Sequence, residues 1–226
     1  MTMTINMIPN DVPVLRIDII SDVMCPWCAI GYMGLKQALA EMSNDIVADI
    51  HWQPFELNPT MPSEGQDLAE HIHEKYGSTP QQSQQNRDHI TQLGNNLGFE
   101  FNFSAGRRIY NTFKAHQLIH WVGEEYPERQ TELKMALLVA YFKEGKDVSD
   151  NKVLLAVIEE LDFDANLAKS LLEDEVYAGD VRALQEQWRQ LGVSAVPSFI
   201  IDEKYMISGG QPKEAFVQAL SQIIES

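Results

Sequence analysis

The chain of 226 residues contains only two cysteines, Cys25 and Cys28. A disulfide framework and a four-cysteine zinc site are both excluded, since each needs more sulfur than one pair supplies. No stretch approaches the roughly 20 consecutive apolar residues of a membrane-spanning helix, so no membrane association is expected. Cations are scarce too: 17 Lys and Arg stand against 33 Asp and Glu, for a formal charge of −16. Phosphate backbones are bound through cationic patches, which argues against nucleic acid as a partner. Acidic pairs such as Glu124-Glu125 and Glu159-Glu160 read as solvated helix faces. Residues 1–10 have neither the basic region nor the continuous apolar run of a secretory signal, and read as a short, loosely ordered leader. The expected location is therefore the cytoplasm, where a cysteine pair is more often transient and catalytic than a lasting bridge.

The two cysteines form Cys25-Pro26-Trp27-Cys28. Before them, Val14-Leu15-Arg16-Ile17-Asp18-Ile19-Ile20 is β-branched and apolar enough for a buried strand. After them, Tyr32, Leu35, Leu39 and Met42 continue from Cys28 at helical spacing, which predicts one buried helical face. Cys25 then falls at the N-cap, at the exposed mouth of the helix, with Pro26 in the first turn, where a missing N–H costs nothing. Unpaired N–H groups and the helix dipole favour negative charge at that position, so Cys25 is expected to be the nucleophilic thiolate. Cys28, three residues on and on the same face, is the resolving thiol, within reach of a disulfide. As zinc ligands the pair would need partners, and His71 and His73, two residues apart, do not converge on a helix.

Beyond this helix a second extended run, Ile46 to Leu57, completes a β-α-β unit and leaves through Pro54 and Pro59. Helical periodicity then fills roughly 130 residues: Leu68 to Tyr76, Gln82 to Leu97, Ile109 to Tyr126, Glu128 to Lys143, Asn151 to Leu161, and Ala165 to Leu191 with a break near Glu173 to Gly179. Strand character returns at Ser198 to Asp202 and Lys204 to Ser208, which read as a hairpin. A final helix follows, with Phe216, Leu220, Ile223 and Ile224 on its apolar face.

Five segments in this order resemble the FrnE-like branch of the DsbA-like thioredoxin-fold family: Ser21-Asp22-Val23-Met24-Cys25-Pro26-Trp27-Cys28, Phe55-Glu56-Leu57-Asn58-Pro59, Asn111-Thr112-Phe113-Lys114-Ala115-His116, Gly192-Val193-Ser194-Ala195-Val196-Pro197 and Ile207-Ser208-Gly209-Gly210-Gln211-Pro212. The match spans residue 15 to about 220. It implies an α/β, thioredoxin-like fold with a large all-helical insertion between the second strand and the cis-Pro strand. The thioredoxin-like domain would be discontinuous, residues 12–60 and 189–226, with 61–188 as the inserted helical domain. It also implies that Val196-Pro197 is cis and faces the cysteines, where the Val196 backbone can pair with an extended substrate.

Pro26, Trp27, Val196, Pro197, Asn111 and His116 are the expected substrate-binding residues. The paired histidines His116 and His120 are read as solvated or packed rather than as metal ligands. Many members of the wider fold carry a buried acid six residues before the nucleophile; here that position is Ile19. Asp18 is expected on the opposite strand face and Asp22 in the turn, neither a clear substitute.

The implied activity is thiol–disulfide exchange with protein or small thiol substrates. No bound cofactor is expected beyond the redox-active disulfide itself, with glutathione as a candidate reductant. Two other readings stand beside it: a small-molecule isomerase of the 2-hydroxychromene-2-carboxylate or polyketide type, and a non-enzymatic redox sensor or chaperone. Both cysteines are more than the isomerase reading requires.

Overall fold

The computed structural model describes residues 12–226. The N-terminal leader expected over residues 1–10 lies outside them. Strand β1 (Val14–Ser21) pairs in parallel with β2 (Val47–Pro54) and antiparallel with β5 (Ser198–Ile201), which pairs with β6 (Tyr205–Ser208). The sheet order is β2-β1-β5-β6. Helix α1 (Pro26–Glu41) links β1 to β2, and α9 (Lys213–Ile224) closes the chain against α1. This is the thioredoxin-like arrangement. Between β2 and β5 run α2 (Leu68–Tyr76), α3 (Pro80–Leu97), α4 (Phe113–Glu125), α5 (Gln130–Phe142), α6 (Asn151–Glu160), α7 (Ala165–Glu173) and α8 (Ala178–Gln190).

Alternation along β1 sends Ile17 and Ile19 into the main core and turns Asp18 to the other face. There Asp18 accepts two bonds from Arg16, each 2.7 Å, and one from Gln53 at 2.6 Å. The main core continues from these isoleucines through Leu35 of α1 to Leu118 of α4 and to Leu133 and Leu137 of α5. Helices α4, α5 and α8 pack against β2, and α3 packs against α1. The helical block thus shares one apolar core with the sheet.

Two expected boundaries shift. Ile109 does not begin a helix; Arg108–Ile109 (β4) pairs antiparallel with Gln66–Asp67 (β3), and α4 starts only at Phe113. A two-residue ladder is too short to show any alternation in sequence. Helix α3 begins two residues early, at Pro80, because Thr79 and Gln82 form a reciprocal capping box. In α9, Phe216 and Leu220 are fully buried as expected, whereas Ile224, the last residue of the helix, is 38% exposed.

Two glycines set how closely other elements approach α1. A Cβ on Gly31 would stand 3.1 Å from Pro197 Cγ and 3.0 Å from Phe199 Cζ, and one on Gly34 would stand 2.7 Å from the Gln211 carbonyl oxygen. Mid-helix glycine costs roughly 0.5–1 kcal/mol relative to alanine, and here it admits the loops on either side of the β5-β6 hairpin. Gly34→Ala is expected to destabilise the fold by about 1–3 kcal/mol, because the nearest atom is backbone and cannot swing away. Gly179→Ala, with open space around it, is the control. Thermal melts of both variants check this, and an unchanged melting temperature for Gly34→Ala would show that the α1 contact is looser than described.

Candidate active site

Strand β1 ends at Ser21 and α1 begins at Pro26, so the turn between them carries both Asp22 and Cys25. Cys25 is the N-cap, with extended backbone angles (φ −93, ψ 112), and its carbonyl accepts the Cys28 N–H at 3.0 Å. No side chain caps the helix and no acidic residue lies in its first turn. The Cys25 sulfur is therefore the group placed to carry negative charge at the positive end of α1. Both cysteines are free thiols.

The exposed position expected for Cys25 is not what the structure shows: Cys25 is 4% exposed and Cys28 is 0% exposed. The reason is tertiary. The loop before β5 lies over the sulfur, with the Cys25 thiol donating to the Val196 carbonyl at 3.6 Å, and the Val196-Pro197 bond is cis. From the other side, Tyr76 at the end of α2 comes near enough that Cys25 charge adds to burial in raising its phenol pKa. Trp27, between the cysteines, is 37% exposed, with its ring 6.2 Å from that of His89 on α3. Pro26 is partly buried beside it. A polar pocket of about 340 Å³ opens between α2 and α3, lined by Tyr76, Ser78, Gln82 and Asn86 among others.

Burial raises the pKa of the Cys28 thiol well above its ordinary value, and the neighbouring Cys25 adds to the rise through a hydrogen bond and its charge. Lys134 and the Asp22 backbone pull the other way without offsetting it. Cys28 is thus held as the protonated partner.

Behind the cysteines lies a cluster that the sequence pattern did not reveal. Asp22 is 1% exposed; its carboxylate accepts the Leu57 N–H at 2.7 Å and the Met24 N–H at 3.4 Å. It is therefore a turn residue as expected, yet a buried one. His116 from α4 places Nε2 3.5 Å from Asp22 Oδ1, and among the described residues this nitrogen has no properly formed hydrogen bond. With 2% exposure, His116 sits beneath the site rather than on an open cleft. Asn111 spends its side chain on the start of α4, accepting the Phe113 N–H at 2.9 Å. Its neighbour Tyr110 donates its N–H to Met24 Sδ at 3.1 Å, which brings this segment against the turn.

Lys134 of α5 is 1% exposed, with Nζ 5.2 Å from the centre of the Trp52 ring. Nothing in the Leu133-Lys134-Met135 spacing marks this lysine as special; only its place on the inward face of α5 would have pointed to it. His71 and His73 bond separately, to Gln66 and to the Ser78 carbonyl.

Two expectations follow from these charges. Burial works to raise the Asp22 pKa, but the His116 contact, the Leu57 N–H and Lys134 together leave it lowered. A carboxylate whose pKa is lower folded than unfolded contributes stability above the unfolded value of about 3.9, and loses it as pH falls through the folded value. The stability advantage of wild type over Asp22→Asn is therefore expected to be about 1–3 kcal/mol near pH 6 and to shrink on acidification below about pH 4, as read by urea denaturation. An advantage that grows on acidification would mean that the fold favours the protonated Asp22 carboxyl instead. Separately, iodoacetamide should modify the Cys28→Ser variant at least about tenfold faster than Cys25→Ser at pH 7, because only the thiolate reacts. Equal rates would remove the asymmetry between the two sulfurs.

Residues 16–221 match the model of the DSBA-like thioredoxin domain. An uncharacterised protein of Bacillus subtilis, YwbO, is 28% identical over 208 residues, covering 92% of this chain and 96% of that one. Among solved structures, a probable DsbA oxidoreductase from Streptomyces coelicolor superposes with a TM-score of 0.87 at 30% identity, covering 94% of this chain and 91% of that one. The cytosolic disulfide reductase DsbM from Pseudomonas aeruginosa, a structure with GSH, superposes with a TM-score of 0.61 at 14% identity, covering 93% and 100% of the two chains, which shows likeness of fold alone. With a cysteine pair at the head of α1, a cis-proline loop across it and a family match over nearly its whole length, this chain belongs to the DsbA-like thioredoxin domain family.

Proposed function

We propose that the protein is a thiol–disulfide oxidoreductase working through Cys25 and Cys28. The observation that carries this reading is the pairing of one sulfur at the positive end of α1 with a second, one helical turn deeper, whose thiol is held protonated. The Cys25 thiolate attacks a substrate disulfide, forming a Cys25–substrate bond and releasing the other substrate sulfur as a thiolate. Cys28 then attacks Cys25, forming the Cys25–Cys28 disulfide and releasing the second substrate thiol. The reverse sequence oxidises a dithiol substrate.

Within the family, the five matching segments support the FrnE-like branch. Substrates in this reading are protein or small-molecule disulfides, with glutathione a candidate reductant and the cytoplasm the location. Val196 and Pro197, lying over the sulfur, together with Pro26 and Trp27, form the surface such a substrate would meet. The segment 61–188 is read as an inserted helical domain whose α2 and α3 border that surface, with His116 acting on it from below through Asp22 and Asn111 through the start of α4.

An isomerase acting through one nucleophile leaves Cys28 without a task. Nor does a sensor or chaperone need the second sulfur held ready at this depth. Insulin reduction with a thiol donor tests the proposal. Cys25→Ser is expected to lose all activity above background, and Cys28→Ser to accumulate mixed disulfides visible on non-reducing gels. The resolving role fails if the second variant turns over normally without trapping substrate.

A further inference from the structure

The surface beside the sulfurs has a part that thiol–disulfide exchange itself does not use. Helix α2 stops at Gly77, in the left-handed conformation, and α3 starts at Pro80, so a short link joins the two. Between them lies the cavity of about 340 Å³ lined by Tyr76, Ser78, Gln82, Gln85 and Asn86, and none of its lining groups carries a charge. The charged residues adjoining it in sequence are engaged elsewhere. Lys75 Nζ donates to the Leu57 carbonyl at 2.9 Å and to Asn58 Oδ1 at 2.7 Å, and Glu74 accepts from Gln66 at 2.7 Å. Arg87 and Asp88 both bond the side chain of Gln84, while among the described residues the carboxamides of Gln85 and Asn86 have no partner.

The cavity is within reach of the reactive turn. Asn86 stands one helical turn before His89, whose ring is 6.2 Å from that of Trp27 between the cysteines. Helix rises about 1.5 Å per residue and an extended chain about 3.3 Å, so roughly three to four extended residues bridge the sulfurs and the cavity. Two exposed aromatic rings border this path, Trp27 at 37% and Tyr76 at 59%, a residue type that contact surfaces favour. Tyr76 belongs to both ends of it, since it lines the cavity and also senses the charge of Cys25.

Resting on the dithiol reading, we propose that the cavity between α2 and α3 is a second docking point for a polypeptide substrate, taking an uncharged backbone amide three to four residues from the disulfide being exchanged. A carboxamide offers an acceptor oxygen and two donor hydrogens, the complement of a peptide N–H and C=O. Glutathione fits it poorly on two counts. Its cysteine has a single residue on either side, too short to span the distance, and its carboxylates call for the cations that this lining lacks. Glutathione can therefore meet the sulfurs without gaining from the cavity. A longer chain gains contact remote from the reacting atoms, which raises kcat/KM.

Oxidation of the full reduced protein by a series of disulfides tests this, with second-order rate constants read by acid quench and each normalised to the reaction of the same disulfide with dithiothreitol. The series is 2-hydroxyethyl disulfide, oxidised glutathione, and the homodimeric disulfides of neutral Ala/Gly/Ser peptides with one or with five residues on each side of the cysteine. The longer peptide should react at least about tenfold faster than the shorter one, with oxidised glutathione no faster than the shorter one. Replacing both carboxamides, Gln85→Ala with Asn86→Ala, puts a good helix former at two exposed positions of α3 and should cut that gain to about threefold or less. Gln84→Ala, which lies outside the cavity lining, should keep it.

Equal rates for the two peptides in wild type would overturn the proposal, and so would oxidised glutathione reacting as fast as the longer peptide. A length gain that survives the double substitution, or that Gln84→Ala removes equally, would place the extra contact somewhere other than this cavity and overturn it as well. If the double substitution slows 2-hydroxyethyl disulfide by the same factor as the longer peptide, the loss lies at the sulfurs and the proposal falls. A protein that reacts with none of the four disulfides fails differently: the dithiol reading itself is then removed.

Discussion

The carboxylate of Asp22 is the point at which separate parts of this protein meet. It is buried in the turn between β1 and α1, where an unpaired charge would be strongly destabilising, and several partners share the task of holding it. The Leu57 N–H comes from the chain leaving β2, the Met24 N–H from the turn itself, and His116 from α4 in the helical block. Lys134 of α5 adds a charge of opposite sign. A carboxylate satisfied in this way fixes the direction in which α1 departs from the sheet, and with it the position of Cys25. The helical block is therefore part of the frame on which the cysteines are mounted, as the apolar core running from Ile19 to Leu137 also indicates.

Much of this architecture is legible in the chain because the long elements carry strong periodicity. The β-branched run of β1 and the Tyr32, Leu35, Leu39, Met42 stripe of α1 announce a strand and a helix, and the Cys25-Pro26-Trp27-Cys28 junction between them is specific enough to suggest its chemistry. Elements resting on few residues are not legible: the β3-β4 ladder has two residues per strand, and its existence depends on which loops meet. Burial is also hidden wherever it is imposed from a distance. Cys25 reads as exposed because an N-cap normally is, and the loop that covers it lies far along the chain. Lys134 carries no mark in the sequence because its depth comes from packing such as that against Trp52, far from it along the chain.

The two cysteines illustrate how a short motif obtains unequal sulfurs from one helical turn. The first faces the unsatisfied amides of the helix start, and the second enters the core with the rest of the apolar stripe. Gly31 and Gly34 then let Pro197 and the Gln211 backbone approach the same helix closely, giving up some helical stability for contact. The chemical distinction between Cys25 and Cys28 arises in this way from packing that surrounds both.

The contact between the Cys25 sulfur and the Val196 carbonyl spans 171 positions of the chain. Synthesis proceeds at roughly 5–20 residues per second, so Cys25 leaves the ribosome on the order of 10–30 seconds before its cover is made. The pairing of β1 with β5 is equally delayed, since Ile17 meets Ile201 only after the whole helical block has been made. For that interval β1 has β2 as its one strand neighbour, and the loop that covers Cys25 is missing. The nascent chain therefore passes through a stage in which the Val196 loop does not yet lie over its reactive sulfur, and access to Cys25 narrows only once residues far along the chain have been made.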